Sequence, residues 1–395
     1  MRFRHRDGTT VHLGYCSNVH PAEDVDGILD QLRRYAGEVR ARLGEPRLGL
    51  GLWLPAPTAH ELAGDPAALE RLRTGLDRHG LEVVTLNAFP YAGFHAPVVK
   101  RDVYSPDWSD RRRLDYTLDS ARVLAALLPD DAVRGSISTL PLGWRTPWFT
   151  DRDRAAKEMV GELADGLARL ETEVGRPVRV GFEPEPGCVV ETTRDAVTRL
   201  AGLDPDHIGI CVDTCHLATQ FEDATEALDR LQVAGLPVIK VQVSAALHAD
   251  DPSDPATREA LASYSEDRFL HQTREPSGGG RVESRDDLPE ALGGHRPLAA
   301  EHPWRVHFHV PLHADPAPPL RSTRDHLAGT LDALLGGPVA HTDHLEVETY
   351  TWGVLPEQVR PDGDDGLVAG IAAELAWTRD RLLEAGLEQL QEASA

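Results

Sequence analysis

The sequence predicts an α/β fold, a (β/α)8 or TIM barrel formed as a single domain over residues 1–395, and three observations predict it. First, β-type apolar runs alternate with amphipathic helical patterns about eight times along the chain. Second, those runs are continuous rather than alternating, as in parallel strands buried on both faces. Third, no GxGxxG follows the first run, which argues against an open dinucleotide-binding sheet. Strand followed by helix, repeated, builds right-handed parallel units. Eight units favour a closed ring, and such barrels often exceed 250 residues as one domain.

The strand-like runs fall at 11–16, 48–54, 81–89, 133–140, 178–182, 208–212, 238–243, 306–310 and 345–350. Helical spacing of apolar residues marks 22–43, 66–79, 112–128, 154–174, 192–203, 224–233, 321–335 and 366–390. Nine strands is one more than the ring needs. Residues 245–304 are rich in Asp, Pro and Gly and include Ser277-Gly278-Gly279-Gly280. They read as an insertion after the seventh strand. The run 306–310 is then either an extra strand over the barrel mouth or a replacement for a neighbour in the ring. No repeat of fixed period and no linker marks a second domain.

Asp and Glu number 64 against 41 Lys and Arg, a net charge of −23. Such a surface repels nucleic acid and anionic lipid, so neither is an expected partner. The four cysteines, Cys16, Cys188, Cys211 and Cys215, form no CxxC pair and are too few for a disulfide scaffold. Residues 1–11 carry no apolar signal core, and no run of about 18 apolar residues is long enough to span a membrane. The expectation is a cytoplasmic protein without membrane insertion.

The chemistry-bearing residues cluster at the C-terminal ends of the runs, the functional face of a parallel barrel. The fifth run ends in Glu183-Pro184-Glu185-Pro186, two carboxylates on one face held by prolines, a rigid site of hard oxygens. The sixth ends at Asp213, with His216 three residues on. That pair can reach one metal, or Asp213 can simply cap a helix. His307 and His309 share a face of the penultimate run, where imidazoles are costly to bury without a ligand or hydrogen bond. Glu346 and Glu348 share a face of the last run, with Glu346 one step deeper; a carboxylate so enclosed calls for a cation. Gln242 on the seventh run suits a substrate hydroxyl better than a metal. Asn18 and His20 follow the first run and Asn87 ends the third, all at the same mouth. Phe89, Tyr91 and Phe94 form either an aromatic wall for a sugar-like ring or ordinary rim packing. Residues 103–108 read as an ordered loop and a candidate lid.

These residues resemble the xylose isomerase-like, or sugar isomerase/epimerase, superfamily of metal-dependent barrels. The resemblance implies a metal held by Glu183, Asp213, His216 and Glu348, with Glu183 and Glu348 also relaying protons at carbon. It departs at strand seven, where Gln242 stands at an expected ligand position and His309 is the candidate substitute. A narrower resemblance covers nearly the whole chain. The phrases HLGYCSNVHP, EPEPG, VDTCHLA, HFHVPLH and HLEVETYTW are similar to those of the EboE metabolite traffic proteins. That resemblance implies work on a secondary metabolite, beside a cyclase resembling dehydroquinate synthase and a membrane prenyltransferase encoded in the same cluster.

The leading expectation is therefore isomerisation or epimerisation of a sugar or cyclitol-like polyol, assisted by a divalent metal (Mn, Mg, Co or Zn). The substrate-binding candidates are Asn18, His20, Asn87, Phe89, Tyr91, Glu185, Gln242 and His307. The alternative is a non-catalytic protein that holds such a metabolite for a membrane partner, other Ebo-cluster proteins being the candidate associates. A phosphoester hydrolase, known among related barrels, is opposed by the −23 charge.

Overall fold

The computed structural model describes residues 1–391. Eight parallel strands close into a ring. They are β1 (Thr10–Cys16), β2 (Leu48–Trp53), β3 (Leu81–Ala88), β4 (Gly135–Thr139), β5 (Val178–Phe182), β6 (Ile208–Asp213), β7 (Val238–Val243) and β8 (His344–Val347). Neighbours in chain order pair in parallel, and β8 returns to pair with β1, placing Glu346 opposite Gly14. Closure removes the free parallel edge. Both faces of these strands are covered, so β2, β3 and β6 are buried along their full length. That double burial is what made them continuous apolar runs.

Helices Arg111–Leu127, Thr150–Val174, Thr193–Leu200, Ala224–Val233 and Arg324–Leu335 lie where the periodicity placed them. Their ends follow local chemistry. Thr192 and Asp195 form a reciprocal capping box, and Gly175 ends the long helix in the left-handed conformation at φ 77°. Among the described residues, no helix is long and apolar enough to cross a membrane.

The run expected as a strand at 306–310 is not in the ring. β7 pairs directly with β8 through Val241, Gln242 and Val243, so the ring has no gap to fill. Instead Trp304–Val306 joins a separate antiparallel sheet with Leu247–Ala249, Thr273–Ser277, Arg281–Arg285 and Arg321–Ser322. The chain from His307 onward leaves that sheet without regular structure. The excursion between β7 and the next barrel helix thus extends past residue 304, to Ser322. The last helix also stops short of expectation. It spans Gly363–Glu384, Gly386 turns the chain at φ 91°, and Glu388–Gln389 pairs with the N-terminal strand Arg2–Arg4.

Polar groups fill the barrel interior. Ser136 on β4 donates to Thr85 on β3 at 2.8 Å and meets His344 Nδ1 from across the ring at 2.8 Å. One step nearer the mouth, the fully buried Lys240 of β7 forms an ion pair with the equally buried Glu346 of β8. Room for Glu346 comes from β2: a Cβ on Gly51 would lie 1.4 Å from its Oε1. Glycine is required there by close approach, not by backbone angle.

Candidate metal centre

The strand ends above this ion pair carry the site. Glu183 follows β5 directly and its amide still bonds Thr139 O of β4 at 3.0 Å. Asp213 is the last residue of β6. Glu348 follows β8, with its amide on Val243 O of β7 at 3.1 Å. Strand pairing thus fixes all three backbones, and carboxylate oxygens of Glu183, Asp213 and Glu348 come within 4.8 Å of one another. All three residues are buried. Burial, then the neighbouring Glu348 and Asp213, push the Glu183 carboxyl well above its ordinary range. Burial, then Asp213 and Glu346, do the same to Glu348.

Asp213 does both things the sequence left open. Its Oδ1 caps the following helix by accepting from His216 N at 2.9 Å, and also accepts from Ser244 Oγ at 2.8 Å. Its Oδ2 has no partner and faces His309 Nε2 at 3.7 Å. Glu348 Oε1 is oriented by two amides, Asn18 Nδ2 at 2.7 Å and Asn87 Nδ2 at 2.8 Å. Glu183 Oε2, His309 Nε2 and both amide atoms of Gln242 are also buried without a partner. Gln242 lies beside Asp213 and Glu346 in the strand register, below the cavity rather than on its wall.

The three histidines share one arrangement. His216 Nδ1 faces Pro184 O at 3.0 Å, His309 Nδ1 faces Glu348 O at 2.6 Å, and His307 Nδ1 faces Gln272 Oε1 at 2.7 Å. The Gln272 amide is itself oriented, since its Nε2 donates to Pro186 O and Tyr104 OH, each at 2.9 Å. Each Nδ1 therefore meets an oxygen that can only accept, so Nδ1 carries the proton and Nε2 the lone pair. Burial lowers the pKa of all three, His216 to about 4, and keeps the rings neutral. Neutral Nε2 lone pairs and unpaired carboxylate oxygens, buried and turned toward one another, are the donor set of a divalent cation. The set fits one: Asp213, His216 and His309 converge within 4.8 Å, as do Glu185, His216 and His307, and also Cys215, His307 and His309.

A cavity opens above this cluster. Its lining includes Asn18, Asn87, Phe89, Glu185, His307 and Tyr350. Glu185 Oε1 accepts from Tyr104 OH at 2.7 Å, and burial raises its carboxyl to about 8. Three of the expected substrate-binding residues lie outside this lining: Gln242, below it, and two more. His20 is buried against β1, stacked on Tyr35 at 4.1 Å with its Nε2 3.0 Å from Tyr15 OH. The short helix Ser17–Val19 turns it away from the mouth, so it is a packing residue. Tyr91 packs edge-on against Tyr116 at 5.2 Å under Arg113, outside the cavity lining. Sequence reasoning missed Lys100, Tyr104, Phe269 and Gln272 at the site. Tyr104 lies in the 103–108 loop already noted, but Phe269 and Gln272 come from the inserted segment, where no periodicity marks an inward face.

Comparison with known proteins gives the family. The model of the xylose isomerase-like TIM barrel family matches residues 49–282. No curated protein sequence matches. A magnesium-bound xylose isomerase-like TIM barrel protein of Mycobacterium smegmatis superposes with TM-score 0.51 at 14% identity, covering 95% of this chain and 97% of that one. A putative sugar phosphate isomerase/epimerase of Anabaena variabilis gives 0.51 at 12% identity, covering 95% and 99%. An L-ribulose 3-epimerase gives 0.50 at 13% identity, covering 95% of each. At these identities the structures agree in fold. With more than half of its length matched by the family model, the chain belongs to the xylose isomerase-like TIM barrel family.

Proposed function

We propose that this chain is a divalent-metal-dependent isomerase or epimerase of a sugar- or cyclitol-like polyol, serving a secondary-metabolite pathway of the Ebo type. The observation that carries the reading is the convergence of Glu183, Asp213 and Glu348 with the Nε2 lone pairs of His216 and His309 beneath an aromatic-walled cavity. Those five residues would hold the cation. Carboxylate oxygen with imidazole suits Mn, Mg, Co or Zn. The magnesium of the M. smegmatis protein supports a divalent cation, and the name of the L-ribulose 3-epimerase supports the reaction class.

Bound there, the cation would supply Lewis acidity to a carbonyl and its neighbouring hydroxyl, making the intervening C–H easier to deprotonate. The chain's own residues do the rest. Glu183 and Glu348 reach the cavity from β5 and β8, where one carboxylate would take a proton at carbon and the second carboxyl would return it. Asn18 and Asn87 hold Glu348 Oε1 in place. Glu185 and His307 offer hydrogen bonds to polyol hydroxyls, and Phe89, Phe94 and Phe269 shield the reacting carbons from water. Gln242, a poor ligand at a strand-end position, favours the second reading: a protein that binds the polyol and hands it to a membrane partner without turnover.

Deuterium wash-in decides between them. Metal-loaded protein in heavy water is incubated with a panel of ketoses and cyclitols. Metal-dependent exchange at a carbon-bound position supports turnover. Tight binding without exchange overturns the isomerase reading in favour of the carrier, and the absence of both binding and exchange sinks the two together.

A further inference from the structure

One cation reaches the cavity, and it is fully engaged. Lys100 is the only Lys or Arg lining the cavity among the described residues. Its Nζ bonds Asp287 Oδ2 at 2.7 Å, Phe269 O at 2.7 Å and Glu266 O at 3.2 Å. An ammonium has three N–H donors, and these three acceptors account for all of them. The backbone is held as firmly. The amides of Val99 and Lys100 both donate to Arg268 O, at 2.7 and 2.8 Å, and Lys100 sits at φ 41°, a region that residues with a Cβ seldom occupy. All these acceptors belong to the inserted segment. The rest of the charged lining is acidic: Glu183, Glu185 and Glu348.

Resting on the polyol reading above, we propose that Asp287 is a specificity-determining residue: by engaging Lys100 it denies the cavity a phosphate-binding cation and restricts it to polyols without a phosphate or carboxylate group. A phosphorylated sugar would bring about two negative charges at neutral pH into a largely enclosed cavity whose one ammonium already has all its N–H donors taken. A neutral polyol meets only hydroxyl-matching groups and aromatic faces. Asp287 is well suited to variation, because its other tasks survive in asparagine. Its Oδ1 accepts from His271 N at 3.1 Å and caps the helix Leu288–Gly293 through Leu288 N at 3.0 Å. Asparagine is as good a cap as aspartate.

The test is calorimetric titration of the metal-loaded full chain with D-fructose and with D-fructose 6-phosphate. Asp287→Asn removes the counter-charge of Lys100, and affinity for the phosphate ester is expected to rise at least tenfold over wild type. Adding Lys100→Met to that variant is expected to abolish the gain. Asp287→Ser, which also keeps a capping oxygen, replaces the first variant if that one does not fold. An ester affinity unchanged in the Asp287 variant, or a gain that survives Lys100→Met, overturns the proposal, as does wild-type protein that binds the ester more tightly than the ketose. The polyol reading fails separately, on absence of ketose binding and exchange, while the change in ester affinity between variants is still read.

Discussion

The Nε2 atoms of His216 and His307 stand 3.0 Å apart, and each ring has already committed its Nδ1 proton to an oxygen. Tyr350 OH, 3.3 Å from His307 Nε2, can satisfy one of the two lone pairs. The other pair, with the unpartnered Asp213 Oδ2 and His309 Nε2 nearby, needs a positive charge. Protonating a ring is unfavourable here, because burial lowers both pKa values. A cation bound by several of these atoms at once meets the need without a buried imidazolium.

Asp213→Asn is therefore expected to lose most of the bound metal, at least a tenfold fall in affinity, with the fold intact. Asparagine retains the helix cap that Asp213 Oδ1 provides. Plasma mass spectrometry gives the metal content and circular dichroism the fold. Undiminished metal in a folded variant would remove Asp213 from the ligand set.

Glu348→Gln and Glu346→Gln are expected to separate site from scaffold. Glu348 touches the open cluster, so its variant loses metal affinity and any solvent-proton exchange. Glu346 is tied to Lys240 in a fully buried pair, so its variant strands a lysine and loses about 3–5 kcal/mol of stability. Its metal affinity falls less. Titration with Mn2+ alongside urea denaturation distinguishes the two. The opposite pattern, with the greater metal loss in Glu346→Gln, would place the wrong glutamate at the metal.

Gln272→Leu tests the orientation of the histidines. The variant leaves His307 Nδ1–H and Tyr104 OH without their amide partner, at a cost of about 1–3 kcal/mol. Freed to change tautomer, His307 can turn an Nε2–H onto His216 Nε2, 3.0 Å away, occupying the lone pair that His216 offers the cation, and metal affinity should drop about tenfold. Calorimetry reads the affinity and urea denaturation the stability. An affinity equal to wild type would show that the His307 tautomer has no part in holding the cation.

Glu374 predicts a pH effect away from the cluster. Its buried carboxyl accepts from Leu312 N at 3.0 Å, Thr349 Oγ1 at 2.6 Å and Trp352 Nε1 at 3.3 Å, tying the His309 segment to the chain after β8. Burial raises it from 4.5 to about 7. A raised carboxyl pKa stabilises the fold fully below about 4.5, and that stabilisation is lost as pH rises through about 7. The interval corresponds to about 3 kcal/mol. Wild type is thus expected to lose stability relative to Glu374→Gln between pH 5 and pH 8. Urea denaturation of both proteins at the two pH values checks the sign, and a difference that does not change with pH would refute it.

The ring was legible because burial on both faces leaves continuous apolar runs, and the strand-end acids stood out because charge so rarely interrupts them. Glu183, Asp213 and Glu348 could be found this way since each directly extends a strand. His20 misled because proximity to a strand end does not fix direction: one turn of helix sent it into the core against Tyr35. Tyr91 misled for a similar reason, its ring turning to Tyr116 and Arg113. Residues 306–310 read equally as a ring strand or as a strand over the mouth, because an apolar run is the signature of both; only the first of them, Val306, is strand, and outside the ring. Gln272, Phe269 and Asp287 were invisible. Their roles depend on the inserted sheet meeting the 94–104 loop, a contact between segments more than 160 residues apart in sequence.

The Lys240–Glu346 pair, lodged in the space that Gly51 leaves, makes the barrel a blind alley. Below it Ser136, Thr85 and His344 fill the interior, so nothing passes along the barrel axis, and the cavity takes its outer walls from the 94–104 loop and the inserted segment. A molecule that enters cannot leave through the far end of the barrel and must return to the mouth, past the acids and rings that line it. Dwell time is then governed by the mouth, whether the visitor leaves altered or unchanged, and one mouth serves an enzyme and a carrier equally well.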